Sequence, residues 1–143
     1  MTLKDYSFTF NPNKKGLRKI LGDLETDIME ILWRKGETSV RQVYEILKQE
    51  RKIAYTTIMT VMSRLSEKGL LDKFKEGNAF VYKPTSSREQ FTQSTLKKVI
   101  NELIEDFSTP VISQFLDSLE KVNPEKMEEL SRLIEKKRKD KHV

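Results

Sequence analysis

The sequence predicts a mainly α fold with a small β-hairpin, ordered as a winged helix-turn-helix followed by a helical region. Three observations predict it. Apolar residues recur at helical spacing in three successive segments between residues 21 and 68. The period then shortens to about two on either side of a Gly-Asn turn. From residue 86 onward helical spacing returns and persists almost to the end.

Each element has its own signal. Leu24, Ile28, Ile31 and Leu32 form the first stripe, widened by Met29 and Trp33, with Asp23 and Glu25 suited to a helix start and Lys35-Gly36 to its end. Thr38 or Ser39 can cap a second helix carrying Val40, Val43, Ile46 and Leu47. A third helix reads from about Tyr55 to Lys68, buries Ile58, Val61, Met62 and Leu65, and has Gly69 as its C′ residue. Leu71–Lys75 alternates, Glu76-Gly77-Asn78 turns, Ala79–Lys83 is rich in strand formers, and Pro84 closes the hairpin. Ser86 and Glu89 match a capping box. Beyond it run Leu96, Val99, Ile100, Leu103, Ile104 and Phe107, a break expected at Pro110, and then Val111, Ile112, Phe115, Leu116 and Leu119. Asn123-Pro124 opens a last helix with Met127, Leu130, Leu133 and Ile134, which runs into Lys136–Lys141. The resulting organisation is an irregular basic arm over 1–20, a winged helix over 21–84, and a helical dimerisation region with a basic tail over 85–143.

Composition narrows the function. A chain of 143 residues holds one domain plus an appendage. It has no cysteine, and its single histidine is His142. That removes thiolate clusters, zinc sites and His-based catalysis, and suits a reducing cytoplasm. Neither GxxxxGK nor GxGxxG occurs, and the carboxylates are spread without a paired pocket. No enzyme, metal or cofactor is expected. No apolar run reaches membrane-spanning length, and Met1–Phe10 lacks an apolar signal core, so membrane insertion and secretion are not expected either.

The net charge of +5 is distributed unevenly: +4 over 1–20, −3 over 21–50, +3 over 51–70, −3 over 111–130 and +4 over 131–143. A basic centre between acidic helices suits a nucleic-acid footprint, although lysine-rich ends alone also raise the isoelectric point.

The later helix of a helix-turn-helix lies in the major groove and reads base edges with its polar face. Here the face opposite the apolar stripe carries Thr56, Thr57, Met59, Thr60, Ser63 and Arg64, and residues 55–63 hold no charge at all. Hydroxyls, methyl groups and a thioether suit close approach to bases, and Arg64 suits guanine or phosphate. An ordinary amphipathic helix with a small polar face is the plainer alternative. Lys73, Lys75, Lys83 and Asn78 form a wing suited to a phosphate backbone, or a solvated edge hairpin. Arg41 and Tyr44 are candidate backbone contacts, with Tyr44 alternatively packed on the hairpin. The arm carries Lys14, Lys15, Arg18 and Lys19 beside Tyr6, Phe8 and Phe10, and reads equally as a groove-reaching arm or an added edge strand.

Leu21-Gly-Asp-Leu-Glu-Thr-Asp-Ile-Met-Glu-Ile-Leu-Trp33, Thr38-Ser-Val-Arg-Gln-Val-Tyr44 and Ala54-Tyr-Thr-Thr-Ile-Met-Thr-Val-Met-Ser-Arg-Leu-Ser-Glu-Lys-Gly-Leu70 resemble the penicillinase-repressor family, from about Leu21 to Ile134. The resemblance implies a homodimeric repressor of transcription on a palindromic double-stranded DNA operator. It also implies relief by proteolysis in the dimerisation region, through a membrane metalloprotease sensor in the β-lactam-responsive branch. The bond cut there is Asn-Phe, and the matching place here is Gln114-Phe115. The copper-responsive branch carries cysteines that this chain lacks. Met59 stands where well-known members have a basic residue, which implies a different operator.

Dimerisation has a physical argument of its own. The stripes after residue 90 have too little chain to cover them, and a second copy is the simple cover. The alternative from another class is a helical protein-interaction module without specific DNA binding.

Overall fold

The computed structural model describes residues 10–141. Tyr6 and Phe8 of the candidate edge strand, and His142, lie outside the described residues. The elements are α1 (Asp23–Lys35), β1 (Thr38–Ser39), α2 (Val40–Leu47), α3 (Tyr55–Glu67), β2 (Leu71–Glu76), β3 (Ala79–Pro84), α4 (Arg88–Val122) and α5 (Glu125–Lys141), preceded by a 3-10 turn at Gly16–Lys19. They divide into two compact units, residues 1–95 and 96–143. Among the described residues no helix is long and apolar enough to cross a membrane.

The first unit is a three-helix core closed by a small antiparallel sheet of order β1-β3-β2. Ile28 and Leu32 of α1, Val43 of α2 and Ile58, Met62 and Leu65 of α3 are fully buried together. Ser39 caps α2 reciprocally with Gln42: the Gln42 N–H donates to Ser39 Oγ at 3.2 Å, and the Ser39 N–H to Gln42 Oε1 at 2.8 Å. The two-residue strand β1 was not evident in the sequence, because two residues show no alternation. Its pairing of Thr38 with Tyr82 and Ser39 with Val81 ties the front of α2 to the hairpin.

The end of α3 fixes where the hairpin begins. Gly69 takes φ 90°, its N–H donates to the Ser66 carbonyl at 3.0 Å, and the Leu70 N–H donates to the Leu65 carbonyl at 2.9 Å. This pair of bonds is a Schellman closure, with Leu65 and Leu70 both buried beneath it.

Three sequence expectations change. Pro110 does not break the helix: α4 runs through it from Arg88 to Val122, so two helices stand where three were expected. A proline removes one N–H donor, and strong helical periodicity on both sides carries the helix across that single lost bond. The capping box lies one residue later than read, between Ser87 and Gln90, with bonds of 2.9 and 3.1 Å. The stretch 10–20 is not wholly irregular, since its 3-10 turn seats Leu17 in the core at 7% exposure.

Trp33 secures the start of α4. Its Nε1–H donates to the Ser86 carbonyl at 3.1 Å, and its ring meets that of buried Phe91 with centroids 5.5 Å apart.

Gly69→Ala is expected to cost about 1–2 kcal/mol, since a Cβ is disfavoured at this positive φ. Urea unfolding checks this, and an unchanged midpoint refutes it. Gly77→Asn, at φ 65° in an open turn, serves as the tolerated control.

Candidate nucleic-acid interface

The burial of α3 determines what it shows outward. With Ile58, Met62 and Leu65 inside, Thr56, Thr57, Met59, Thr60 and Arg64 are exposed and Ser63 is half-buried. Met59 is a large apolar side chain left 45% exposed in the middle of this face. The Thr60 hydroxyl donates to the Thr56 carbonyl at 2.9 Å, so its proton is committed to the helix while its oxygen still accepts. Ala54 is the N-cap and supplies no side-chain bond, which leaves the first N–H groups of α3 uncapped.

The wing stands across from this face. Register pairs Lys73 with Tyr82 and Lys75 with Phe80, so these four share one side of the hairpin. Lys73 Nζ lies 4.3 Å from the centroid of the Phe80 ring, a cation–π contact that holds the ammonium on the wing.

Between α3 and the wing lies an open groove of about 770 Å³. Met59, Thr60, Ser63, Arg64, Arg41, Lys73 and Asn78 all line it, so the fold brings together seven of the twelve candidates named on α2, α3 and the wing. Thr56, Thr57, Lys75 and Lys83 are exposed and Tyr44 is half-buried, and none of the five lines the groove. Tyr55, Phe80 and Glu67 also line it and were missed by sequence reasoning. The signal for Phe80 was present: a Gly77-Asn78 turn sets the register that places it on the face of Lys73 and Lys75.

Electrostatics separates the cations. Arg41 Nε lies 3.5 Å from Glu45, whose carboxyl is held below the usual carboxylate range chiefly by Lys48 at 2.7 Å. Lys48 also sits over the Tyr44 ring, which meets Tyr55 edge-on at 5.5 Å, so Tyr44 packs on the start of α3. Arg64, Lys73 and Lys75 make no ion pair among the described residues. The arm differs. Lys14 and Arg18 both reach Asp23, at 3.4 and 3.3 Å, and Lys14 before Arg18 holds that carboxyl below its ordinary range. Among the described residues no group of three or more His, Cys, Asp or Glu side chains is placed to hold a metal ion.

In the second unit Leu96, Ile100, Leu103, Ile104, Phe107, Ile112, Phe115, Leu133 and Ile134 are exposed, while Val99, Val111, Leu116, Leu119 and Leu130 are half-buried. Gln114 and Phe115 are exposed within the continuous helix α4.

Comparison with known proteins agrees with the geometry. The chain is similar to the transcriptional regulator BlaI of Mycobacterium tuberculosis, 44% identical over 71 residues, which are 49% of this chain and 51% of that protein. The chain thus spans about half the length of this relative. It is also similar to the penicillinase repressor of Bacillus licheniformis, 24% identical over 80% of this chain and 89% of the other. The solution structure of monomeric B. licheniformis BlaI in complex with the blaP half-operator is 30% identical over 48% of this chain and 84% of that one, with a TM-score of 0.43. The family model for the penicillinase repressor matches residues 21–136. The chain belongs to the penicillinase repressor family.

Proposed function

We propose that this protein is a sequence-specific transcriptional repressor that binds a palindromic operator as a homodimer. One observation carries the reading: the exposed face of α3, uncharged over residues 55–63, and a lysine-bearing wing border the same open groove, where Arg64 and Lys73 make no ion pair among the described residues. Met59 and the threonines suit thymine methyls and base edges, Arg64 suits guanine or phosphate, and the wing lysines suit the backbone. The names of relatives, a transcriptional regulator and a penicillinase repressor, support the same activity.

The homodimer rests on the exposed stripe of α4. Phe107, Ile112 and Phe115 are each more than half exposed in the single chain, and a second copy buries them isologously. Relief of repression by a membrane metalloprotease sensor requires Gln114–Phe115 to leave the helical state. Pro110, four residues before Gln114, cannot donate to the Asp106 carbonyl, so one helical hydrogen bond is missing a turn before the Gln114–Phe115 bond.

Footprinting on the chain's own upstream region is expected to give a two-fold symmetric protected site. Arg64→Ala should weaken binding to it about tenfold, the value of one good base or phosphate contact. Equal affinity for scrambled duplex sinks the specific-repressor reading, and an unchanged footprint removes Arg64 from it. Sedimentation velocity is expected to find a dimer that Phe107→Glu converts to monomer. A wild-type monomer at micromolar concentration rejects the homodimer.

A further inference from the structure

We infer that Arg18 is a positioning residue for the DNA-reading helix α3, acting through Asp27 and Arg51; this rests on the function proposed for α3. Asp27 projects from α1 with its side chain 18% exposed. Its Oδ1 accepts from Arg18 Nη2, and its Oδ2 accepts from Arg51 Nη2. One carboxylate therefore joins a segment before α1 to the loop that leads into α3.

Both arginines are tied to backbone that matters. Arg18 Nη1 donates to the Asp23 carbonyl at 3.0 Å, on the first residue of α1. Its neighbour Leu17 is buried in the core, and the Asn11 N–H closes back on the Lys19 carbonyl at 2.6 Å. The stretch 10–20 is therefore a clasp docked on α1. It lies just outside the family-matched region, which begins at residue 21. Arg51 sits three residues before Ala54, the N-cap of α3. The loop over 48–54 has no regular structure, and Ala54 contributes no capping side chain. What seats this loop is the half-buried Ile53, the Arg51 N–H on the Leu47 carbonyl at 3.1 Å, and the Arg51 guanidinium on Asp27.

The guanidinium of Arg18 bonds the Asp23 carbonyl, Asp23 Oδ1 and Asp27 Oδ1, and neither it, Asp27 nor Arg51 lines the groove. Arg18 thus affects the interface through geometry. With Arg18 present, the carboxylate plane is fixed by one guanidinium bond on each oxygen, and Arg51 has one place to bind. Without it the carboxylate rotates, and the loop that starts α3 loosens.

The test uses the full chain with Arg18→Gln, Arg51→Gln and the double variant, Gln keeping part of each stem. Amide exchange in the free protein is read at Thr57 and Ile58, whose N–H groups bond to the Ala54 carbonyl. Arg18→Gln should speed it about fivefold, within the range of couplings between contacting residues, and the double variant should be no faster than the faster single. On the footprinted duplex, Arg18→Gln should lower affinity about fivefold while affinity for a scrambled duplex and the salt slope both stay at wild-type values.

Unchanged exchange in a folded Arg18→Gln protein overturns the inference. So does a salt slope shallower by about one with exchange unchanged, which makes Arg18 itself a phosphate contact. If wild-type protein fails to tell the two duplexes apart, the proposed function fails, and exchange at Thr57 and Ile58 still decides the clasp. Should Arg18→Gln not fold, Asp27→Asn, which keeps the shape and removes the charge, must give the same faster exchange.

Discussion

Ile58, Met62 and Leu65 have no exposed surface, and the interface depends on that fact. Each buried side chain of this kind contributes about 1.5–3 kcal/mol, and three on one stripe of a 13-residue helix fix its rotation. The opposite face must then point to solvent whatever residues it carries. That face has three threonines, which give little helix propensity, and Met59, and none of the four can form an i,i+4 ion pair. α3 is therefore stabilised from behind by the core, and its front is left free for recognition.

Charge is partitioned by the same logic. The acids of α1 each engage cations from other parts of the first unit: Asp23 takes Lys14 and Arg18, Asp27 takes Arg18 and Arg51, Glu25 takes Lys68, and Glu30 takes Arg88. Half of these pairs, those of Asp23 and Glu30, are exposed on both sides and individually weak. Their joint effect is to pin the segments before and after the core onto α1. Arg64, Lys73 and Lys75, on α3 and the wing, are among the cations that make no ion pair among the described residues. On the proposed function, a phosphate backbone meets cations that need not break an ion pair to reach it.

The sequence made the buried faces readable because helical periodicity records which side chains face the core, and α1, α2 and α3 stand where the spacing put them. It made seven groove residues readable for the same reason, since knowing the inward stripe gives the outward one. Features set by partners distant in sequence were not readable. The summed charge of the arm left a groove-reaching segment open as one of two readings, yet a sum counts cations and not the acids they meet, and Lys14 and Arg18 are engaged by α1. β1 is too short for a period, and Pro110 misled because a single breaker weighs less than the periodicity on either side of it.

The second unit poses an energetic problem that the first does not. Leu103, Ile104, Phe107, Ile112 and Phe115 along a single helix gain little in water, and an isolated helix is held mainly by packing of its apolar face. On the proposed dimer, the partner supplies that packing, so order in α4 and α5 and association of two chains are one equilibrium. The two recognition helices then bind as a linked pair, with an effective concentration set by the dimer. A signal that unwinds or cuts α4 near Gln114 need not touch the groove at all. On the proposed function it removes the burial that links two half-site contacts, and with it the gain in affinity that linkage supplies.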